Sequence, residues 1–250
     1  AERKAVDRVL RSLFLTTGKV TKEFEDKFAE YLGCKKAVGV TSCTAGLHIS
    51  LLALGVKPGD EVITTPMSFI ATANCIEYTG AKPVFVDTEP DTGNINADLI
   101  EQAVTPKTKA LIVTHLYGVM CDMKKINTIA KKHGLKLIED CAHAVEAARD
   151  GIKPGELSDA ACFSFYATKN IASGEGGAVA TNYADVDDAL RKLRLHGMSK
   201  TAADRYISGF KHYDMELLGY KYNMFDIQAA LLLNQLENIE KYWKKRDELF

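Results

Sequence analysis

A surplus of charge of either sign is missing from this chain. Its 32 lysines and arginines face 33 aspartates and glutamates, a net charge of −1. A nucleic-acid binder normally carries a basic stripe or tail, so this balance argues against one. No apolar run is long enough to cross a bilayer, and the opening AERKAVDRVLRSLF (1–14) reads as an amphipathic helix rather than a signal peptide. The six cysteines, at 34, 43, 75, 121, 141 and 162, form no CxxC and no zinc-like paired spacing. Most lie in or beside apolar segments, where cysteine behaves as a small hydrophobe. The expectation is a reduced cytoplasmic protein with free thiols and no bound metal. There is no internal repeat and no low-complexity tract. What remains is an ordinary globular composition, 46% hydrophobic and 26% charged, enough for one large domain or two small ones.

Short β-like runs alternate with helical ones almost throughout. The strand candidates are 37–41, 61–65, 83–87, 110–116, 135–140, 161–165 and 177–181. Their cores are mostly continuous apolar runs, the pattern of strands buried on both faces. Helix-like stretches fall between them at 44–54, 69–78, 97–103, 122–132 and 184–195. The alternation predicts an α/β fold, a mostly parallel sheet with helices on both faces. Residues 197–222, with Gly197, Gly209 and Gly219, read as a long loop or lid. From Asp226 a helix begins that is apolar at first and charged later.

In open parallel sheets ligands bind beyond the carboxyl ends of the strands. The segments that follow the strands here are SCTAG (42–46), PMSFIAT (66–72), HLYG (115–118), DCAH (140–143) and the run carrying Lys169. Lys169 sits in SFYATKNIASGEGG (164–177), after an apolar strand and before glycines. An amine so placed can form a Schiff base with a carbonyl, although a lysine in a loop is usually only a solvated charge. SCTAG opens a helix, where small residues let a phosphate reach free N–H groups; Ser42 or Thr44 could equally be a plain N-cap. Asp140 ends an apolar strand and can hold a protonated ring nitrogen, or serve as a cap or structural ion pair. Phe69 can stack on a flat ring or join the core. His143 falls on the side of Asp140 if that stretch is helical, and can equally be a satisfied core histidine. Ser164 points away from its neighbours' face and can offer a hydroxyl. A lysine, an acid, a flat partner and a phosphate cup together describe a pocket for pyridoxal 5′-phosphate.

The chain resembles the DegT/StrS-type PLP-dependent nucleotide-sugar aminotransferases, of the fold-type-I (aspartate aminotransferase-like) superfamily. The resemblance runs through residues 15–33, TSCTAGLHISLLALGVKPGDEVITTPMSFIATAN (41–74), GAKPVFVD (80–87), LIEDCAHAVEA (137–147), FSFYATKNIASGEGGAV (163–179) and LGYKYNMFDIQAALLLNQL (218–236). It implies a three-layer α/β/α cofactor domain with N-terminal helices over 1–225. Residues 226–250 would then begin a long helix leading to a small C-terminal domain beyond this chain. By position, Lys169 would carry the cofactor, Asp140 the pyridine nitrogen, Phe69 the stacking ring and His143 a place near it. Thr44, Ala45 and Ser164 would hold the phosphate. The resemblance also implies a homodimer with shared active sites, in which the GYKYN segment reaches the partner's phosphate. Many relatives read GYNYRM there, which leaves Lys221 or Asn223 for the contact, and Asn223 keeps the neutral amide. Glutamate would be the amino donor and a nucleotide-linked keto-sugar the acceptor, in ping-pong transamination. The GYKYN wording and the stretch 196–206 lean toward a UDP-linked 4-keto sugar, whose diphosphate His196, Lys200 and Arg205 could contact, or these can equally be solvated loop charges. Related sugar dehydratases replace the lysine with histidine, so Lys169 speaks against that branch. Other fold-type-I activities, or a non-catalytic relative, are the remaining alternatives.

Overall fold

The computed structural model describes residues 1–199 and 214–249. Seven strands form one sheet: β1 (Lys36–Val40), β2 (Glu61–Thr64), β3 (Lys82–Phe85), β4 (Thr108–Thr114), β5 (Lys136–Asp140), β6 (Ala160–Ser164) and β7 (Gly177–Thr181). Their order is β1-β7-β6-β5-β4-β2-β3. Neighbours from β6 to β3 are parallel, whereas β7 runs antiparallel to both β6 and β1. The sheet is therefore mostly parallel, as the apolar runs predict.

The helices are α1 (Glu2–Leu10), α2 (Lys19–Leu32), α3 (Cys43–Ala53), α4 (Ala71–Tyr78), α5 (Ala97–Ile100), α6 (Met123–His133), α7 (Ala184–Leu193), α8 (Asp226–Glu237) and α9 (Ile239–Asp247). They cover both faces. Alternate residues of each strand point opposite ways, and the core divides accordingly. Val38, Ile138, Cys162 and Val179 meet Leu47, Ile49 and Leu51 of α3 and Leu190 of α7. Ala37, Ala161, Phe163 and Ala178 meet Phe24 and Phe28 of α2 and Leu232 of α8. Leu111, Val113 and Leu137 meet Ile126 and Ala130 of α6.

Three local features depart from the pattern. The helix expected from Asp226 is two helices, parted at Asn238, whose side chain donates to the Asn234 carbonyl (2.8 Å) in competition with the backbone ladder. The amphipathic opening stops being helical at Leu10, short of residue 14. The described parts of 197–222 contain no helix, but isolated bridges Leu195↔Lys221 and Met198↔Met215 tie them down. Lys200 and Arg205 lie outside the described residues.

Two buried carboxylates brace the frame. Glu25, on α2, accepts from Gly39 N–H (2.8 Å), Arg194 (2.6 Å) and Arg191 (2.9 Å), joining α2 to β1 and α7. Burial pushes the Glu25 carboxyl up, but Arg194 and Arg191 outweigh it and hold the group below its ordinary 4.5. Asp226 accepts from the Gly18 and Thr21 N–H groups and the Thr21 hydroxyl. It thereby caps α2 from another helix, where Gly18 itself has no side chain to offer.

Candidate active site

The carboxyl ends of β1, β2, β4, β5 and β6 open on a cleft of about 440 Å³. Thr44, Phe69, Asp140, His143, Ser164 and Lys169 all line it. Six residues read from four separate motifs are thus brought to one place. The parallel strands bring them there, since each strand ends at the same edge of the sheet.

One end of the cleft is the N-terminus of α3. Ser42 is the N-cap, its hydroxyl accepting from Ala45 N–H (3.1 Å). The first-turn N–H groups of Cys43 and Thr44 have no acceptor within the helix. Ala45 shares this turn but does not line the cleft. The turn fits only because β7 begins with glycine. A Cβ on Gly177 would lie 2.5 Å from the Ser42 carbonyl carbon and 2.6 Å from Cys43 N. Ser164, paired with Gly177 across β6 and β7, points into the cleft while Phe163 and Phe165 pack into the α2 aromatic cluster.

Asp140 ends β5 and is 4% exposed. Its Oδ2 accepts from the Thr72 hydroxyl (2.7 Å) and its Oδ1 from Ala142 N–H (3.1 Å). The Cys43 thiol lies 3.8 Å from Oδ1. Burial, then the Asp140 charge, pushes that thiol well above its ordinary range, so it stays a neutral, inert wall. All six cysteines are buried and free.

His143 lies in a turn rather than a helix, yet lines the cleft. Burial pushes its imidazole below the ordinary range, the Lys169 ammonium adds to that, and Asp140 opposes. It is therefore neutral near pH 7, able to donate or accept. Tyr117 lies parallel to it, ring centroids 5.8 Å apart and planes 5° apart. Tyr117 takes the left-handed backbone conformation (φ 52°), which turns HLYG out of the end of β4 and leaves the ring exposed. Phe69 is 74% exposed, at the mouth of the cleft rather than in the core. Lys169 is half-buried and makes no ion pair among the described residues.

Pattern reading missed Thr114, Tyr166, Thr168 and Glu175, which also line the cleft. Tyr166 and Thr168 lie inside the quoted lysine motif, and Thr114 directly precedes HLYG, so position in those runs was the available signal. Asn223 does not line this cleft. It is buried, donating its amide to Thr17 Oγ1 (2.7 Å) and accepting from Lys221 Nζ (2.6 Å), while Lys221 is exposed. His196 is exposed and outside the cleft as well.

This donor set fits pyridoxal 5′-phosphate. A lysine and a buried carboxylate share a cleft with a neutral imidazole, an exposed phenyl ring and a helix N-terminus with unused N–H groups. A mostly parallel sheet with such a cleft at its strand ends defines the fold-type-I class of pyridoxal phosphate proteins. Within that class the chain belongs to the DegT/DnrJ/EryC1/StrS aminotransferase family, which it matches over residues 1–250. It is 48% identical over 249 residues to the spore coat polysaccharide biosynthesis protein SpsC of Bacillus subtilis, covering 99% of this chain and 64% of that protein. Its fold superposes on Helicobacter pylori PseC, an aminotransferase of pseudoaminic acid biosynthesis, with TM-score 0.91 at 34% identity, covering 99% of this chain and 65% of PseC. Spr1654 of Streptococcus pneumoniae in its PMP form gives TM-score 0.92 at 35% identity, covering 99% and 67%. The chain thus spans just under two thirds of the length of SpsC and PseC.

Proposed function

We propose that the full-length enzyme transfers an amino group from glutamate to a nucleotide-linked keto-sugar, with a UDP-linked 4-keto sugar as the first candidate. The observation that carries this reading is the convergence of Lys169, Asp140 and the first turn of α3 on one cleft. When bound, pyridoxal phosphate supplies an electron sink for the substrate carbon that loses its proton. Asp140 would hold the proton on the ring nitrogen, the role its lightly braced Oδ1 and acceptor-only chemistry suit. Lys169 anchors the cofactor and, once released, moves the proton through its Nζ. His143 would sit beside the ring and Phe69 would cover it. Thr44 and Ser164 would hold the phosphate, chiefly through the free N–H groups of Cys43 and Thr44 at the start of α3, with Ala45 beside them, its own N–H given to Ser42 Oγ.

The sugar substrate is supported by kinship with proteins named for polysaccharide and sugar-acid biosynthesis. The reading includes a cytoplasmic homodimer with shared clefts. Met67, Phe69, Ile70 and Tyr117, all exposed around the cleft mouth, supply the apolar surface a partner would cover. The partner's phosphate then meets the Asn223–Lys221 pair, of which Lys221 is the exposed member. Among the described residues no helix is long and apolar enough to cross a membrane. Residues 226–250 would lead to the small C-terminal domain.

The test is an absorbance spectrum of the full-length protein with pyridoxal phosphate, before and after glutamate, and again in Lys169→Ala. The expected band near ~420 nm, that of the lysine-bound cofactor, falls on adding glutamate and is absent from the variant. A wild-type protein with no such band would sink the reading. A screen of UDP- and TDP-linked 3-keto and 4-keto sugars for recovery of the band then identifies the acceptor.

A further inference from the structure

Asp140 is held by a line of hydroxyls that reaches it from two other segments. Thr72 Oγ1, on α4, lies 2.7 Å from Asp140 Oδ2. Ser68 Oγ, in the loop before α4, lies 2.6 Å from Thr72 Oγ1, and Thr114 Oγ1, at the end of β4, lies 3.1 Å from Ser68 Oγ. Each hydroxyl has one proton, and an ionised carboxylate only accepts. Thr72 must therefore give its proton to Asp140. The proton between Thr72 and Ser68 then comes from Ser68, and the one between Ser68 and Thr114 from Thr114. The direction of the whole line follows from this count.

We infer that Thr72, Ser68 and Thr114 form a one-way hydroxyl chain that positions Asp140 for the cofactor's ring nitrogen. This rests on the cofactor reading above. The three are positioning residues, because they act through Asp140. Thr72 fixes Oδ2 and Ala142 N–H braces Oδ1, so the plane of the carboxylate is set while Oδ1 keeps a lone pair for the ring. Every hydroxyl in the line polarises the next toward the acid. A hydroxyl also holds the carboxylate without bringing a charge. An arginine in place of Thr72 would neutralise Asp140 and compete for the bond the ring proton needs. The acid next door shows the contrast, since Glu139 is held by His115 (2.7 Å), the Gly155 N–H (2.8 Å) and Ser158 and faces no cleft.

The test uses the full-length enzyme stripped of cofactor, with two probes: pyridoxal phosphate and its 1-deaza analogue, in which CH replaces the ring nitrogen. Dissociation constants are read from quenching of intrinsic fluorescence, so turnover is not needed. Wild type is expected to bind pyridoxal phosphate more tightly than the analogue. Thr72→Val should weaken pyridoxal phosphate about tenfold, the scale of one hydrogen bond to a charged group, and leave the analogue unaffected. Thr72→Ser should restore wild-type behaviour. Ser68→Ala should show a smaller loss, and that loss should vanish in a Thr72→Val background because the line is already cut. Equal weakening of both probes, or an unchanged preference in Thr72→Val, would overturn the chain and leave these residues a packing role. A wild type that does not distinguish the probes removes the assignment of Asp140 to the ring nitrogen, and the chain with it. Should Thr72→Val not fold, half-buried Ser68 carries the same comparison through Ser68→Ala.

Discussion

Glu139 and Asp140 are consecutive residues of one strand, equally acidic and almost equally buried at 1% and 4% exposure. They do opposite things. Glu139 points away from the cleft with both oxygens engaged, its Oε2 facing the His115 ring. Cys121 N–H donates to the other nitrogen of that ring (3.2 Å), which places the imidazole proton toward Glu139. Asp140 points into the cleft with one oxygen held and the other only lightly braced. The same division runs through the molecule. Glu25 and Asp226 are saturated and hold helices together, whereas Lys169 and the first turn of α3 keep unused capacity. Saturated polar groups stabilise a fold, while groups left short of partners are where a ligand binds.

The sharpest test of this division is Lys169→Ala in the full-length enzyme. Turnover should fall by ~10²–10⁴ or more, the range for losing an acid–base group, with the melting temperature of the cofactor-free protein unchanged. Glu25→Ala should do the reverse, costing about 3–5 kcal/mol because the buried Arg194 loses its ion-pair partner and Arg191 keeps only Asp187, with near-normal cofactor affinity below the melting point. Denaturant titration and fluorescence quenching measure the two. The pH dependence has a definite sign. A carboxyl held below its ordinary 4.5 gives stability that is complete above that pH and lost as pH falls through the folded value. Wild type should therefore show a steeper acid limb below pH 4.5 than Glu25→Gln. Glu139→Gln should cost less, about 1–3 kcal/mol, and leave the cofactor spectrum unaltered; a lost spectrum would erase the contrast with Asp140. Gly177→Ala should likewise cost about 1–3 kcal/mol, here for overpacking. Gly177 lies where frame and cleft meet, so this substitution should also weaken phosphate-dependent binding, as competition with inorganic phosphate would report.

The strands were legible because each is a compact apolar run with no competing period. The cleft was legible because parallel strands deliver their following segments to one edge. Other parts left little trace. Helix α2 carries a buried acid, Glu25, on its packed side, so KEFEDKFAEYL looks too polar for a core helix. The antiparallel course of β7 has no local signal, since GAVAT is buried whichever way it runs. The hydroxyl chain draws single residues from three segments, each an ordinary threonine or serine on its own. The burial of Asn223 against Thr17, with Lys221 outside, comes from tertiary contacts that the GYKYN run alone does not show.

The place of β1 also orders events in time. It lies at the sheet's edge with β7 as its one strand neighbour, and its C-terminal end leads directly into the first turn of α3. That neighbour is made some 140 residues later on the ribosome (Lys36 against Thr181). Until it emerges, the earliest strand of the sheet has no ladder to join. The first turn of α3 is among the first parts of the cleft synthesised and among the last to be seated, so a chain interrupted before residue 177 would have Lys169 and Asp140 but not the strand against which that turn packs.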